Sequence, residues 1–201
     1  MKKTLAVVAG VVVIAYLASP LVIGLLARQQ FPDIVKASSV GARQWQPDGF
    51  HLGYRHSTAR STLTLPMAGR RPVVVHLHHR ITQRLGADLS IMEVNTTASF
   101  EGRIREELAQ VFGDRSPFVF HTLIFADGHY TATFQSPPVA SRSLPGNPAV
   151  HFSFSGAKGT VRGTFAPRTA TYRMTSPGFA LEDAKTHGRV AATGLALAGD
   201  G

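Results

Sequence analysis

FVFHTLIFADGHYTATF, residues 118–134, predicts a β-hairpin and decides the fold class. Apolar and polar residues alternate with a period of two on both sides of Asp127-Gly128, a dipeptide that favours a tight hairpin turn. Ser136-Pro137-Pro138 ends the second strand. Because each strand has one apolar face, the hairpin must cover that face with further structure.

The same alternation recurs along most of the chain and predicts about nine short strands. In the strand Val73 to Ile81, the odd-numbered residues share one face, and His76, His78 and Arg80 lie on the other. One amphipathic helix is predicted from about Glu101 to Phe112, with Ser99 as its N-cap and Gly113 as its end. Residues 141–148 are predicted to form a loop, and two short strands are predicted at 189–192 and 195–197.

These elements predict a mainly β protein with one or two short α-helices. We expect the strands to form a curved antiparallel sheet of amphipathic strands behind a single N-terminal transmembrane helix. The sheet can pack as a sandwich, close into a barrel, or curl around a helix or an apolar ligand, and the pattern does not choose among these.

An uncharged run of 24 residues, Thr4 to Ala27, follows Lys2-Lys3 and stops at Arg28. At 1.5 Å per residue it can cross a bilayer core of about 30 Å. A cleaved signal peptide is the alternative, but a cut after Ala18 would leave Pro20 close behind the scissile bond and the bulky Tyr16 before it. The uncleaved anchor is therefore favoured.

The flanking charges predict the orientation, with the N-terminus cytoplasmic and the rest of the chain periplasmic. We expect an anchor or signal sequence over residues 1–28, a linker and short helix from Pro32 over 29–40, and a β-rich periplasmic domain over 41–201. The expected location is a bacterial inner membrane, with a single pass.

Composition limits the chemistry of the outer part. The chain has no cysteine, which excludes disulfides and thiolate catalysis. Beyond Arg28 there are 18 Lys and Arg against 12 Asp and Glu, dispersed along the sequence. Dispersed charge without a nucleic-acid-binding motif argues against a nucleic-acid partner. A solvated basic surface is preferred over one that contacts anionic lipid.

Histidines are the first candidates for a metal site, since three of the nine lie together at His76, His78 and His79. His76 and His78 lie two apart on one strand, so both side chains point to the same side. His51 or His121 would have to supply a third ligand. Two ligands make a weak site, so solvent-facing histidines are preferred, with His79 as a hydrogen-bonded core residue.

No motif predicts an enzyme. The sequence has no nucleophile elbow, metalloprotease helix or phosphate-binding loop, and no cofactor is expected. Six aromatic residues on the predicted apolar faces are most simply core, and they would line a lipid groove only in an open sheet: Phe118, Phe120, Phe134, Phe152, Phe154 and Tyr172.

Several short motifs together resemble the YdgA-like family of bacterial envelope proteins, whose function is unknown. They include the Met-Lys-Lys start with its span, Trp45 to Leu52, the histidine-ending strand at 73–79, Glu106 to Gly113, the hairpin above, and Phe152 to Gly156. The sequence departs from the family after His79, where Arg80-Ile81 replaces a common Gly-Pro, and it resembles a short member. The resemblance implies a β-rich periplasmic domain on an inner-membrane anchor, and no reaction.

Three functions follow as hypotheses. The favoured one is a non-catalytic envelope protein with an interaction or maintenance role, whose partners are the inner membrane and another envelope protein. The second is a lipid-binding or lipid-transfer module, since AsmA-like proteins also combine an anchor with amphipathic strands around an apolar groove. The third is a periplasmic metal-dependent hydrolase.

Overall fold

The structure is a computed structural model that describes residues 2–37, 39, 43–67, 70–144, 147–165 and 168–200, with only the backbone for 2–14, 37, 70 and 168. It contains two helices, α1 (Lys2–Ala37) and α2 (Gly102–Phe112). The described residues form eleven strands, in chain order β1 (Gln44–His51), β2 (His56–Met67), β3 (Arg70–Gln83), β4 (Ser90–Phe100), β5 (Val119–Phe125), β6 (His129–Ser136), β7 (Val139–Leu144), β8 (Asn147–Phe154), β9 (Ala157–Phe165), β10 (Arg168–Asp183) and β11 (Arg189–Asp200).

All strands belong to one curved antiparallel sheet, as predicted for the fold class. The strand order is β1-β2-β3-β4-β5-β6-β9-β10-β8-β7, and β11 pairs with the other edge of β10. The long strand β10 pairs first with β9, through residues 168–175, and then with β8, through residues 179–183. The β7–β8 hairpin comes between β6 and β9 in the sequence. In the sheet, however, β8 pairs with the part of β10 that extends past β9.

Both helices lie on the same face of the sheet, which we call the inner face. The strand registers place one row of residues across it from β1 to β11: Phe50, Ala59, His79, Thr96, Phe120, Phe134, Gly159, Met174 and Leu197. The next two inner-face rows contribute the buried core of Val75, Leu77 and Ala98, against which Trp45 and Phe100 pack. The alternation predicted for residues 73–81 is confirmed, because Leu77 and His79 are buried while His78 and Arg80 are exposed.

The second half of α1 packs on the β1–β3 end of the inner face. Pro20, Gly24, Ala27 and Val35 are buried there. The Phe31 ring lies 5.9 Å from that of Phe50 and 5.6 Å from that of His79 between centroids. Away from the sheet, a group of apolar side chains of the helix stays between 42% and 52% exposed: Leu21, Val22, Leu25 and Leu26.

The prediction of a linker at residues 29–31 and a separate helix from Pro32 is wrong. α1 runs without interruption to Ala37, with Pro20 and Pro32 inside it. A proline inside a helix costs about 3 kcal/mol locally, whereas packing against a sheet supplies most of the stability of helices in proteins. The contacts of Phe31 and Val35 with the sheet account for the continuous helix.

The N-terminal span remains a prediction. Among the residues that the structure describes, no helix combines the length and apolar character needed to cross a membrane. The first part of the predicted span, residues 4–14, lies outside the residues whose side chains are described.

Three local predictions need correction. The predicted loop at 141–148 forms most of a hairpin between β7 and β8, and the two predicted tail strands are one strand, β11. Ser99 lies in β4, so the N-cap of α2 is Glu101, which makes no side-chain cap hydrogen bond. The predicted stop at Gly113 is confirmed, because this residue has φ 65° and its N–H donates to the Ala109 carbonyl.

Candidate apolar groove

Helix α2 stands over the sheet as one wall of a groove. Its apolar stripe of Leu108, Val111 and Phe112 turns toward the inner face, and Val111 is buried. The Ser116 hydroxyl lies 3.2 Å from the Ala98 carbonyl oxygen and 2.7 Å from that of Phe118, which ties the segment after α2 to strand β4. The sequence pattern that predicted the helix therefore also supplies this wall.

The β7–β8 hairpin forms the facing wall, and two arginines hold it beside α2. Arg142 donates from Nη1 to the Gln110 carbonyl at 3.2 Å, and Arg115 donates from Nη2 to the Pro138 carbonyl at 3.3 Å. Phe152 and Phe154, two residues apart on β8, stack with ring centroids 6.4 Å apart. Both rings line the groove.

Between these walls lies a cavity of about 570 Å³. Its lining is almost entirely apolar and comes from α2 and from strands that are distant in sequence: Leu108, Val111, Phe112, Phe118, Phe134, Leu144, Phe152, Phe154, Ala157, Met174, Leu195 and Leu197. The volume is within the range of roughly 300–1,000 Å³ that small-molecule pockets occupy. The cavity can take an apolar molecule or chain.

Gly159 leaves space at the base of the groove, because it has no side chain. It pairs with Phe134 on one side and Met174 on the other, so the row of inner-face side chains has a gap there. A Cβ at this position would lie 2.9 Å from the Arg173 carbonyl oxygen, which a strand neighbour cannot easily vacate. Glycine therefore serves both the close strand pairing and the open floor.

A more polar depression adjoins the groove. It has a volume of about 750 Å³, shares Ser136 and Ala157 with the groove, and is also lined by Arg115 and Lys158.

The structure places four of the six sequence-predicted groove residues in the cavity wall: Phe118, Phe134, Phe152 and Phe154. Phe120 lies next to it, with its ring 5.3 Å from that of Phe134. Tyr172 lies elsewhere, over Gly199 of β11. Met174, Leu195 and Leu197 were not predicted as lining, and only the pairing of β10 with β11 brings them there.

The predicted histidine pair makes hydrogen bonds with neighbouring polar side chains. Among the described residues, no group of three or more His, Cys, Asp or Glu is arranged to hold an ion. Both ring nitrogens of His76 are engaged, Nε2 with Glu101 Oε1 at 2.6 Å and Nδ1 with Thr62 Oγ1 at 3.0 Å. His51 and His121 lie in the row of Arg80, on strands to either side of β3.

His79 is buried in a polar network under α1. Its Nε2 lies 2.8 Å from Ser61 Oγ and its Nδ1 lies 2.8 Å from Thr96 Oγ1, while Trp45 Nε1 donates to Ser61 Oγ at 2.9 Å. Desolvation by burial, aided by the charge of neighbouring His78, lowers the pKa of His79 to about 4. Ser61 and His79 have the spacing of a nucleophile and its base, but Ser61 has no exposed surface, so the pair is structural.

Comparison with known proteins gives a family and no activity. No curated protein and no solved structure matches the chain. A family model described as "Bacterial protein of unknown function (DUF945)" matches residues 1–201. The chain therefore belongs to the DUF945 family of bacterial proteins of unknown function.

Proposed function

We propose that this protein is a non-catalytic, YdgA-like component of the bacterial envelope that holds the apolar chain of a lipid in the groove beside α2. The observation that carries the proposal is the groove itself, an apolar cavity of about 570 Å³ lined by two helical turns and six strands. Leaving such a surface empty in water is unfavourable by about 25 cal/mol per Å² of apolar area, so an apolar occupant stabilises the open sheet.

The same proposal places the protein in the inner membrane, with the sheet in the periplasm. The uncharged run from Thr4 to Ala27, preceded by Lys2-Lys3, supports a single pass with the N-terminus cytoplasmic. The exposed apolar side of α1 supports membrane contact too, because side chains such as Leu21 and Leu25 face away from the sheet.

A groove-filling variant tests the lipid function. Met174→Trp places a large side chain over the gap at Gly159, whereas Arg173→Trp places the same side chain on the outer face of the same strand. We expect saturable binding of a fluorescent C16 fatty acid by the wild type, at least tenfold weaker binding by Met174→Trp, and wild-type binding by Arg173→Trp. Equal binding by the two variants would contradict the proposal.

Lipid that co-purifies with the protein gives an independent test. Mass spectrometry of the detergent-purified protein should detect a bound acyl-chain lipid in the wild type and little in Met174→Trp. The alternative function is an interaction module that binds a protein partner through the same apolar surface. A wild-type preparation free of lipid, in which a protein partner protects the groove residues, would favour that alternative.

A further inference from the structure

A third cavity lies between α1 and the edge of the sheet where β1 turns into β2 and β3 turns into β4. Its volume is about 200 Å³. Tyr16 and Ser19 of α1 line one side, and Arg55, Gln83 and Arg84 line the other. This cavity is separate from the groove, because the two have no lining residue in common.

The close approach of α1 to the sheet fixes the shape of this cavity. Gly24 is buried, and a Cβ there would lie 2.7 Å from Leu52 Cδ1 and 2.8 Å from Gln83 Nε2. The Tyr54 hydroxyl donates to the Leu17 carbonyl on the same side of the helix. The lining residues of the helix and of the sheet edge are therefore held at a fixed separation.

The lining of the cavity favours an anion. Arg55 and Arg84 carry full positive charges, and none of the described residues that line the cavity is acidic. Arg84 Nη2 lies 3.6 Å from Glu93 Oε2, outside the cavity, so one carboxylate offsets part of its charge. His56 adds a ring whose Nδ1 lies 3.4 Å from Thr82 Oγ1. A phosphate oxyanion matches two guanidinium groups held on adjacent turns of the sheet edge.

Gln83 adds a second requirement for the ligand, a hydrogen-bond donor. The side chain is 1% exposed, its Nε2 donates to Ser57 Oγ, and its Oε1 has no hydrogen-bond partner in the described part of the chain. A buried carbonyl oxygen without a donor is unfavourable, because it has lost its hydrogen bonds to water. A ligand that carries a hydroxyl group next to its phosphate would supply the missing donor.

The position of the cavity along α1 indicates where that ligand comes from. Residues 4–15 of the uncharged run precede the cavity and extend about 18 Å at 1.5 Å per residue, less than the roughly 30 Å of a bilayer core. When the run is embedded, the two arginines at this level reach the headgroup layer or below it. Charged side chains there need an anionic partner.

The sheet edge around the cavity has the composition of a membrane interface. Tyr54, Leu85 and Leu89 are between 48% and 67% exposed on its turns, beside the two arginines. Aromatic and apolar side chains interleaved with basic ones are typical of segments at the headgroup level. We propose that the cavity binds the phosphate of an anionic lipid with a hydroxylated headgroup, such as phosphatidylglycerol; this inference depends on the proposed membrane anchor.

The test uses the full chain in nanodiscs of phosphatidylcholine with and without phosphatidylglycerol. Native mass spectrometry after release into detergent counts the phosphatidylglycerol retained per protein. The variant Arg55→Gln/Arg84→Gln removes both guanidinium groups. The control Arg60→Gln/Arg80→Gln removes the same charge from exposed positions on the outer face of β2 and β3. Thermal unfolding checks that both variants fold.

We expect the wild type and the control to retain phosphatidylglycerol and the Arg55→Gln/Arg84→Gln variant to retain at least tenfold less. Equal retention by the two double variants would overturn the proposal. Displacement of the lipid by inorganic phosphate alone would assign the site to free phosphate and overturn the lipid assignment. Failure of the wild type to enter nanodiscs would instead contradict the anchor, so the two failures are distinguishable.

Discussion

At the scale of single residues, His79 couples the stability of the fold to pH. Its pKa falls from 6.5 to about 4 on folding because the ring is buried. Between these values the unfolded chain binds a proton that the folded chain does not, so the free energy of unfolding decreases as the pH falls from 6.5 to 4 and levels off below. The shift corresponds to about 3 kcal/mol, at 1.36 kcal/mol per unit.

The variant His79→Gln isolates this effect. Glutamine still offers a donor and an acceptor to Ser61 and Thr96, but it does not titrate. Urea unfolding followed by the fluorescence of Trp45, the only tryptophan, should show a smaller loss of stability between pH 6.5 and 4 than in the wild type. The same pH dependence in both proteins would show that His79 is not the responsible group.

Gly128 provides a second prediction at this scale. It has φ 83° in the β5–β6 turn, where its N–H donates to the Phe125 carbonyl at 3.1 Å. Gly128→Ala should lower the free energy of unfolding by about 1 kcal/mol, because a side chain is strained at positive φ. Gly49→Ala is the matched control, since no atom lies within 4 Å of a Cβ there and its φ is ordinary. A loss of stability only in the control would contradict this reasoning.

At the scale of elements, the second half of α1 acts as part of the core. Val35 is 3% exposed beneath the helix, so Val35→Asp buries a carboxylate without a partner, whereas Gln30→Asp changes an exposed position of the same helix. Hydrogen exchange of the amides in residues 20–37 should accelerate in Val35→Asp and stay unchanged in Gln30→Asp, with β4 to β6 protected in both. Unchanged exchange in Val35→Asp would show that α1 is not held by the sheet.

Local sequence patterns predicted the elements whose own residues determine them. The β5–β6 hairpin and the alternation of β3 follow from a turn dipeptide and a period of two, and α2 follows from its apolar stripe. The β7–β8 hairpin was missed because residues 141–148 are rich in Ser, Pro and Gly. Its strands depend on the pairing of β8 with β10, on the pairing of β7 with β8, and on the contacts of two arginines. Likewise, α1 passes Pro32 because Phe31 and Val35 pack on the sheet, which no local pattern encodes.

At the scale of the whole molecule, the groove could be predicted only in part. Alternation predicted which faces of β5, β6 and β8 are apolar, and that placed four phenylalanines in the wall. The opposite side of the groove depends on the register of β10 with β11, where Met174 pairs with Leu197. Register between strands is a property of long-range pairing, so the sequence did not distinguish Met174 from Tyr172 as the residue that lines the cavity.

The same architecture makes the proposed topology testable, because both helices cover the inner face and the outer face stays open to solvent. Thr97 is exposed on the outer face of β4, and the chain has no cysteine, so Thr97→Cys introduces a single reporter thiol. In spheroplasts, a membrane-impermeant maleimide should label Thr97→Cys fully, whereas Lys3→Cys should be labelled only after the membrane is permeabilised. Labelling of Thr97→Cys only after permeabilisation would place the sheet in the cytoplasm. That result would remove the periplasmic assignment, while the fatty-acid test of the groove, which is independent of topology, would still stand.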